Sequence, residues 1–191
     1  VKKGLIFKQF IKNPSTIGAL CPSSVGLCRE MINGINIESA DAVAELGPGT
    51  GVITSEIVSA VSLECKFFAV ELDQCIFSEL IKTCPDINII NDSAENLGDI
   101  MEQQKIKRLD VVISGLPWAA FPVSLQTTIM DEVINNLVPG GYFTTFAYLQ
   151  GMLLPAARRF RCLLNEKFSS VQTSRIVWAN FPPAFVYKCR K

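Results

Sequence analysis

The sequence predicts an α/β fold: a mostly parallel sheet with helices on both faces and a terminal antiparallel hairpin. Three observations predict it. From Ala42 onward, short apolar runs of strand length alternate with stretches of helix length. The first run ends in a glycine-rich turn, Gly47-Pro48-Gly49-Thr50-Gly51, directly ahead of a helix. The last two runs are separated by a brief Pro-rich turn, Asn180-Phe181-Pro182-Pro183, which calls for antiparallel pairing.

The elements follow in order. Lys2 to Lys12 reads as a basic amphipathic helix, with Leu5, Ile6, Phe10 and Ile11 on one face and Lys8, Gln9 and Lys12 off it. Asn13-Pro14 stops it, and Thr16 to Ser24 is a loop. Ser23 or Ser24 caps a helix from Val25 to Ile32. Strand Ala42 to Leu46 leads through the glycine turn into helix Val52 to Ala60. Strand Lys66 to Val70 ends at Glu71-Leu72-Asp73, and helix Gln74 to Lys82 follows. Strand Asn88 to Ile90 ends at Asp92-Ser93-Ala94, before a partly helical stretch to about Gln104. Strand Asp110 to Ser114 ends in Gly115-Leu116-Pro117-Trp118. Helix Ser124 to Leu137 is closed by Pro139-Gly140-Gly141, then come strand Tyr142 to Ala147 and helix Pro155 to Asn165. Strands Ser174 to Trp178 and Phe185 to Cys189 form the closing pair. The whole, 1–191, reads as one domain, with 1–34 an N-terminal helical segment and 40–191 the sheet core.

Composition narrows the function classes. Hydrophobic residues make up 49%, which supports a packed core. Lys+Arg and Asp+Glu both number 18, so the basic excess usual for a phosphate-backbone partner is absent and nucleic acid is the lesser expectation. There is no histidine, which removes Ser-His and Cys-His catalysis. The seven cysteines form no Cys-x-x-Cys pair, so a zinc site is not expected, and they read as reduced, mostly buried small hydrophobes. No apolar run reaches the roughly 18 residues of a membrane helix, and no signal peptide is visible. A cytoplasmic location is expected.

The chemistry concentrates at strand ends. Glu45 precedes the glycine run, which follows the first core strand and is Gly-x-Gly-x-Gly rather than Gly-x-Gly-x-x-Gly. Glycines there let a backbone turn tightly and approach a ligand closely. Glu71, at the next strand end, can accept from both hydroxyls of a ribose. Asp92, at the third, is placed to accept from an adenine amino group. Strand ends are the ligand crevice of an open α/β sheet, and a set of merely tight turns does not explain three polar residues converging there.

This series resembles motifs I to III of class I S-adenosylmethionine (SAM) dependent methyltransferases, which implies their Rossmann-like sheet and SAM as cofactor. The cofactor-binding set it implies is Glu45, Gly47, Pro48, Gly49, Gly51, Glu71, Leu72, Asp92, Ser93, Ala94 and Ser114. In relatives that methylate amino nitrogens, the fourth strand end carries an Asn/Asp-Pro-Pro-aromatic or Asn-Leu-Pro-aromatic loop. Here Gly115 stands at the Asn/Asp position, which speaks against an adenine substrate. The Ser114-Gly115-Leu116-Pro117 form resembles bacterial phospholipid N-methyltransferases, which act on phosphatidylethanolamine. Phe10 with Asn13-Pro14, Gly18-Ala19 and Pro22-Ser23-Ser24, then Gly140-Gly141 with Phe146-Ala147-Tyr148, and Trp178 to Tyr187 extend that similarity along the chain. Trp118 departs from it, standing where an aliphatic residue is expected.

The resemblance implies an N-methyltransferase acting on an amino-phospholipid, with Ser114, Leu116, Pro117, Trp118 and Tyr148 as the acceptor-side catalytic set. Trp118 and Tyr148 can hold a methylated ammonium by cation–π contact or can pack in the core. Arg158, Arg159 and Arg161 can meet a lipid phosphate or form a solvated helix face. Lys2, Lys3, Lys8 and Lys12 can contribute up to roughly 4 kcal/mol towards an anionic membrane surface, enough for peripheral adsorption on the inner face of the cell membrane, or the helix can pack Leu5, Phe10 and Ile11 on the domain with its lysines solvated. The alternatives are an RNA adenine or protein N-methyltransferase, a non-catalytic SAM-binding protein and, more remotely, a nicotinamide dehydrogenase.

Overall fold

The computed structural model describes residues 23–191. The helix read at Lys2 to Lys12, Asn13-Pro14, most of the following loop, and Cys21 therefore lie outside the described residues.

Seven strands form one sheet: β1 (Ala42–Leu46), β2 (Lys66–Val70), β3 (Ile89–Ile90), β4 (Leu109–Ser114), β5 (Leu137–Tyr148), β6 (Ser170–Thr173) and β7 (Ala184–Arg190). Their order is β3-β2-β1-β4-β5-β7-β6. The first five are parallel, and β7 runs antiparallel to both neighbours. Six α-helices connect them: α1 (Val25–Ile32), α2 (Val52–Ala60), α3 (Gln74–Thr83), α4 (Leu97–Gln103), α5 (Val123–Asn136) and α6 (Pro155–Lys167). The chain winds outward from β1 in both directions. That puts the topological switch point, where such sheets bind ligands, between the C-terminal ends of β1 and β4.

Strand alternation divides the core in two. Ala42, Ala44 and Leu46 of β1, with Val112 of β4 and Phe185 and Tyr187 of β7, pack against α4, α5 and α6. Val43, Val111, Ile113 and Val186 face the other way, against Leu27, Met31, Ile53 and Ile57 of α1 and α2. Glu45 shares the Val43 face and so lies under α2, whereas Ser114 shares the Val112 face. This parity decides what each polar residue can touch.

The helix starts follow local chemistry. Ser24 caps α1 through its hydroxyl, which accepts from Leu27 N. Asp73 caps α3, accepting from Cys75 N and Ile76 N.

Three expectations are corrected. The penultimate strand is Ser170–Thr173, not Ser174 to Trp178. At Ser174 the side chain takes over a ladder position, its hydroxyl accepting from Val186 N at 2.9 Å, and pairing beyond it shrinks to a single Val177–Ala184 bridge. The connection to β7 is thus the long segment 174–183 rather than a brief turn. Pro139-Gly140-Gly141 lies inside β5, opposite a register shift between Leu109 and Val111 that absorbs the irregular residues. The cysteines are not mostly buried: of the six described, only Cys28 and Cys189 are, and burial pushes those thiols up to about 11 and about 12. Among the described residues no helix is long and apolar enough to cross a membrane.

Candidate active site

The loops after β1 and β4 meet at backbone level. Gly47 N donates to Val70 O at 2.9 Å, and Gly115 N donates to Leu46 O at 2.8 Å. Gly47 stands at φ +73°, and a Cβ there would fall 2.7 Å from Leu116 Cδ2. A Cβ on Gly115 would collide with the Gly47 carbonyl oxygen, a backbone atom that cannot step aside. The closeness of these loops, not the chemistry of an acceptor, excludes a side chain at 115.

Three carboxylates surround this junction in different states. Glu45 is fully buried and accepts the Thr54 hydroxyl of α2 at 2.7 Å. Its second oxygen, Oε1, is buried with no hydrogen-bond partner among the described residues. Burial holds its carboxyl up to about 8, against the lowering effect of the Thr54 bond. Glu71 bridges two loops: Oε1 accepts from Asp73 N at 2.9 Å and Oε2 from Gly49 N at 3.4 Å. Its carboxyl is also raised by burial, with those two bonds opposing the shift. Asp92 is half-buried, and its Oδ1 accepts from Ser93 N at 2.6 Å and Asn96 Nδ2 at 2.8 Å. Asn91 ties the third strand end to the second by donating to Glu71 O and Leu72 O.

The loop after β4 is held from within. Ser114 is fully buried, and its hydroxyl accepts from Trp118 Nε1 at 3.0 Å and Leu116 N at 3.3 Å. Its carbonyl accepts from Thr145 Oγ1 at 2.9 Å. Gln126 of α5 is buried and donates to the Trp118 carbonyl at 2.7 Å and the Phe121 carbonyl at 3.2 Å. The Trp118 ring stacks on Phe160 of α6 at 4.8 Å and meets Phe143 edge-on at 5.8 Å. Tyr148, half-buried at the end of β5, lies edge-on to Phe146 at 5.4 Å.

A cavity of about 800 Å3 opens at this junction. One end is walled by Gly47, Pro48, Gly49, Val52 and Ile53, with Cys75, Ile76 and Glu79 of α3. The other is walled by Leu116, Pro117, Trp118, Tyr148, Met152 and Phe160, with Leu154 and Tyr187. The structure thus gathers Gly47, Pro48, Gly49, Leu116, Pro117, Trp118 and Tyr148 around one space. Glu45, Gly51, Glu71, Leu72, Asp92, Ser93, Ala94 and Ser114 are not in its wall. Of these, Glu71 reaches the cavity through Gly49, and Ser114 through Trp118. Arg158, Arg159 and Arg161 are exposed and outside it.

Sequence reasoning missed Leu154, Ala157 and Phe160, which repeat every third residue and turn one face of α6 towards the cavity. The arginines between them draw attention to the opposite face. Gln126 carried no signal, because a lone glutamine in a helix pattern reads as solvated.

No protein-family model matches the chain. An ornithine lipid N-methyltransferase from Singulisphaera acidiphila is 32% identical over 189 residues, covering 97% of this chain and 94% of that protein. This chain belongs to the same family of SAM-dependent methyltransferases. A ribosomal RNA small subunit methyltransferase A from Ureaplasma parvum is 30% identical over 147 residues, and this methyltransferase spans only 51% of its length. Among solved structures, the N-methyltransferase NodS from Bradyrhizobium japonicum superposes with a TM-score of 0.64 at 12% identity, covering 87% of this chain and 92% of that one. Magnesium protoporphyrin IX methyltransferase from Synechocystis, solved with bound SAM, gives 0.65 at 11% identity, over 87% and 76%. These two likenesses establish the methyltransferase fold.

The residues present fit SAM. Gly49 leaves open space where a Cβ would stand, so the loop can cradle a ligand. Behind the loop, under α2, Glu45 Oε1 is a buried acceptor without a partner among the described residues, a polar atom the fold itself leaves over at this site.

Proposed function

We propose that this methyltransferase acts on the amino nitrogen of a membrane lipid, with phosphatidylethanolamine and ornithine lipid as the head groups to offer first. The observation that carries the reading is the chemistry of the acceptor end. Leu116, Trp118, Met152, Leu154, Phe160 and Tyr187 make it apolar and aromatic. Among the described residues, Glu79, on the glycine-loop side, is the only charged side chain in the whole wall. Such a surface suits hydrocarbon next to a small amine, and suits a phosphate backbone poorly. The ornithine lipid activity named for the relative supports the same substrate class. The packing at Gly115 opposes an adenine substrate, since no side chain fits there to accept from an exocyclic amine.

In this reading Gly47 to Gly51 holds the methionine end of SAM, and Glu71 and Asp92 receive ribose and adenine. Bound SAM supplies a methyl group on a positively charged sulfonium, open to in-line attack. Ser114 and Gln126 fix Trp118 and Leu116, so the acceptor wall presents one shape to the amine. Catalysis then comes mainly from proximity and orientation in an apolar space. The basic helix read at Lys2 to Lys12 belongs to the same proposal, as an anchor to anionic lipid.

The test is methyl transfer from labelled SAM to each lipid in anionic vesicles, with structured RNA in a parallel tube. Label in lipid, lost in a Gly47→Val/Gly49→Val variant, is the expected result. Label in RNA alone overturns the reading.

A further inference from the structure

Large apolar side chains stand in solvent at the end of the sheet where this cavity opens. Leu153 and Phe181 are each 81% exposed and Trp178 is 70% exposed, the highest values after Leu63 among the exposed large hydrophobics. They come from two segments, the 3-10 turn Leu149–Leu153 that follows β5 and the long connection 174–183 that precedes β7. The two are side by side: Leu149 N donates to Pro183 O at 2.9 Å, and Tyr148 pairs with Ala184. Both lie at the sheet end where Gly47 and Gly115 meet. The first also forms cavity wall through Gln150, Gly151 and Met152. Asn180 braces the second, accepting from Ser24 N at 2.8 Å and donating to Pro182 O at 2.7 Å.

Charge is unevenly spread along the chain. It is neutral overall, but residues 133–191 hold eight basic residues against the single acid Glu166; of these, Lys167 and Lys188 are ion-paired, and Arg190 and Lys191 lie at the other end of the β5–β7 ladder. Residues 1–22 hold four lysines and no acid, and the described chain picks up from them at Ser23, in the cavity wall. The stretch 23–132 carries 17 of the 18 acids. Arg158 and Arg159 follow Leu154 by four and five residues, Arg175 lies in the second segment, and among the described residues no ion pair engages them. Exposed Leu, Trp and Phe on two segments that also carry or adjoin exposed arginines without ion pairs match a bilayer interface bearing anionic head groups.

We propose that these two segments form an interfacial docking surface which seats the cavity mouth on an anionic lipid bilayer, with Leu153, Trp178 and Phe181 inserted. The proposal rests on the lipid-substrate reading, and it places membrane contact on these two segments. A lipid amine then reaches the cavity without leaving the membrane.

The test uses the full chain and sucrose-loaded vesicles of phosphatidylcholine and phosphatidylglycerol, which contain no amino lipid. Co-sedimentation is compared for wild type and Leu153→Ser/Phe181→Ser. Trp178 serves as reporter, since Trp118 is buried and Trp178→Phe supplies the background. We expect the double variant to lose about tenfold or more in vesicle partitioning. Trp178 emission should shift blue on vesicles and be quenched by brominated lipid. SAM affinity and transfer to detergent-dispersed amino lipid should be retained, which shows that the variant is folded. Equal partitioning of wild type and variant overturns the proposal while leaving the lipid substrate standing. Partitioning that depends on Leu153 and Phe181, without methylation of any lipid, does the reverse. Trp178 emission already blue-shifted without lipid, through a second copy or another part of this chain, overturns it as well.

Discussion

The indole N–H of Trp118 donates to the hydroxyl of Ser114 at 3.0 Å, across the loop that closes the fourth strand. Ser114 is fully buried on the α5 and α6 side of the sheet, so its hydroxyl cannot also reach into the cavity. It shapes the acceptor wall from behind. Trp118 is gripped on three sides, by Ser114 at its nitrogen, Phe160 on its face and Gln126 at its carbonyl. Ser114 and Gln126 hold this wall from behind, and neither lines the cavity.

Ser114→Ala should therefore act as a packing lesion with a catalytic consequence. It leaves the buried Trp118 N–H without its acceptor, at about 1–3 kcal/mol. For a domain of this size that is a fall in Tm of about 3–10 °C, measurable by calorimetry. SAM affinity should change little, because the glycine loop is untouched, while kcat/KM for the amine falls. A loss of SAM binding equal to the loss of rate would return Ser114 to direct cofactor contact.

Glu71 is the one carboxylate that holds both sides of the cofactor crevice, through Gly49 N and Asp73 N. Glu71→Ala frees the glycine loop and removes an acceptor from the crevice. Titration calorimetry should show SAM binding weakened by at least about tenfold, in keeping with the loss of a hydrogen bond to a charged group. Asp92→Ala should weaken it too, with Asn96 and Ser93 losing their acceptor. Normal affinity in both variants would remove these residues from the cofactor set.

Much of this architecture was legible in the residues. Alternating apolar runs gave β1, β2 and β4 with correct or nearly correct bounds, because buried parallel strands are continuous and the glycine turn marks where one ends. The closing hairpin misled, since Ser174 to Trp178 has the composition of a strand but Ser174 ends the ladder with its own side chain. The cofactor loop could be located because its glycines answer a local backbone demand. Gln126, Phe160 and Tyr187 could not, because their role arises only when α5, α6 and β7 converge on one cavity. The reason for Gly115 was likewise hidden: its neighbour, the Gly47 carbonyl, lies on another strand end.

Gly115→Asn tests that packing directly. Placing there the Asn that the resemblance to amine-methylating enzymes leads one to expect should not create a nucleobase site, because the new Cβ strikes Gly47 O. The loops after β1 and β4 must separate, so SAM should no longer raise the melting temperature and stability should fall by about 1–3 kcal/mol. A variant that keeps full SAM binding would show that the junction yields easily.

Glu45 gives the apo protein an unusual pH response. Its carboxyl is held up to about 8 by burial, above its ordinary value of 4.5. A group raised on folding contributes stability fully present below the unfolded value and lost as pH climbs through the folded one. Glu71 is shifted in the same direction. Ligand-free Tm should therefore decline as pH rises from about 5 to about 8 and then level. Glu45→Gln, which keeps an acceptor for Thr54, should flatten that decline and leave the variant more stable than wild type at the alkaline end. Parallel curves for the two proteins would contradict the assignment.

Among the described residues, the acceptor end of the cavity is walled without a carboxylate, and the chain has no histidine. Tyr187 donates to the Met152 sulfur at 3.6 Å and burial raises its hydroxyl further. Tyr148 is the other titratable group at that end of the cavity, Glu79 lies on the glycine-loop side, and residues 1–22 contain no carboxylate. A primary ammonium should then lose its proton to solvent before it attacks. The logarithm of kcat/KM for an amino lipid should rise with pH from about 7 to about 9, following the amine itself and without the falling limb of a bell. Tyr148→Phe and Glu79→Gln should keep that shape. A positioned general base contributes about 100-fold or more, so either variant should cost less than about tenfold if neither is the base. Loss of the rising limb in Tyr148→Phe, with a rate reduced beyond that bound, would instead make Tyr148 the proton acceptor.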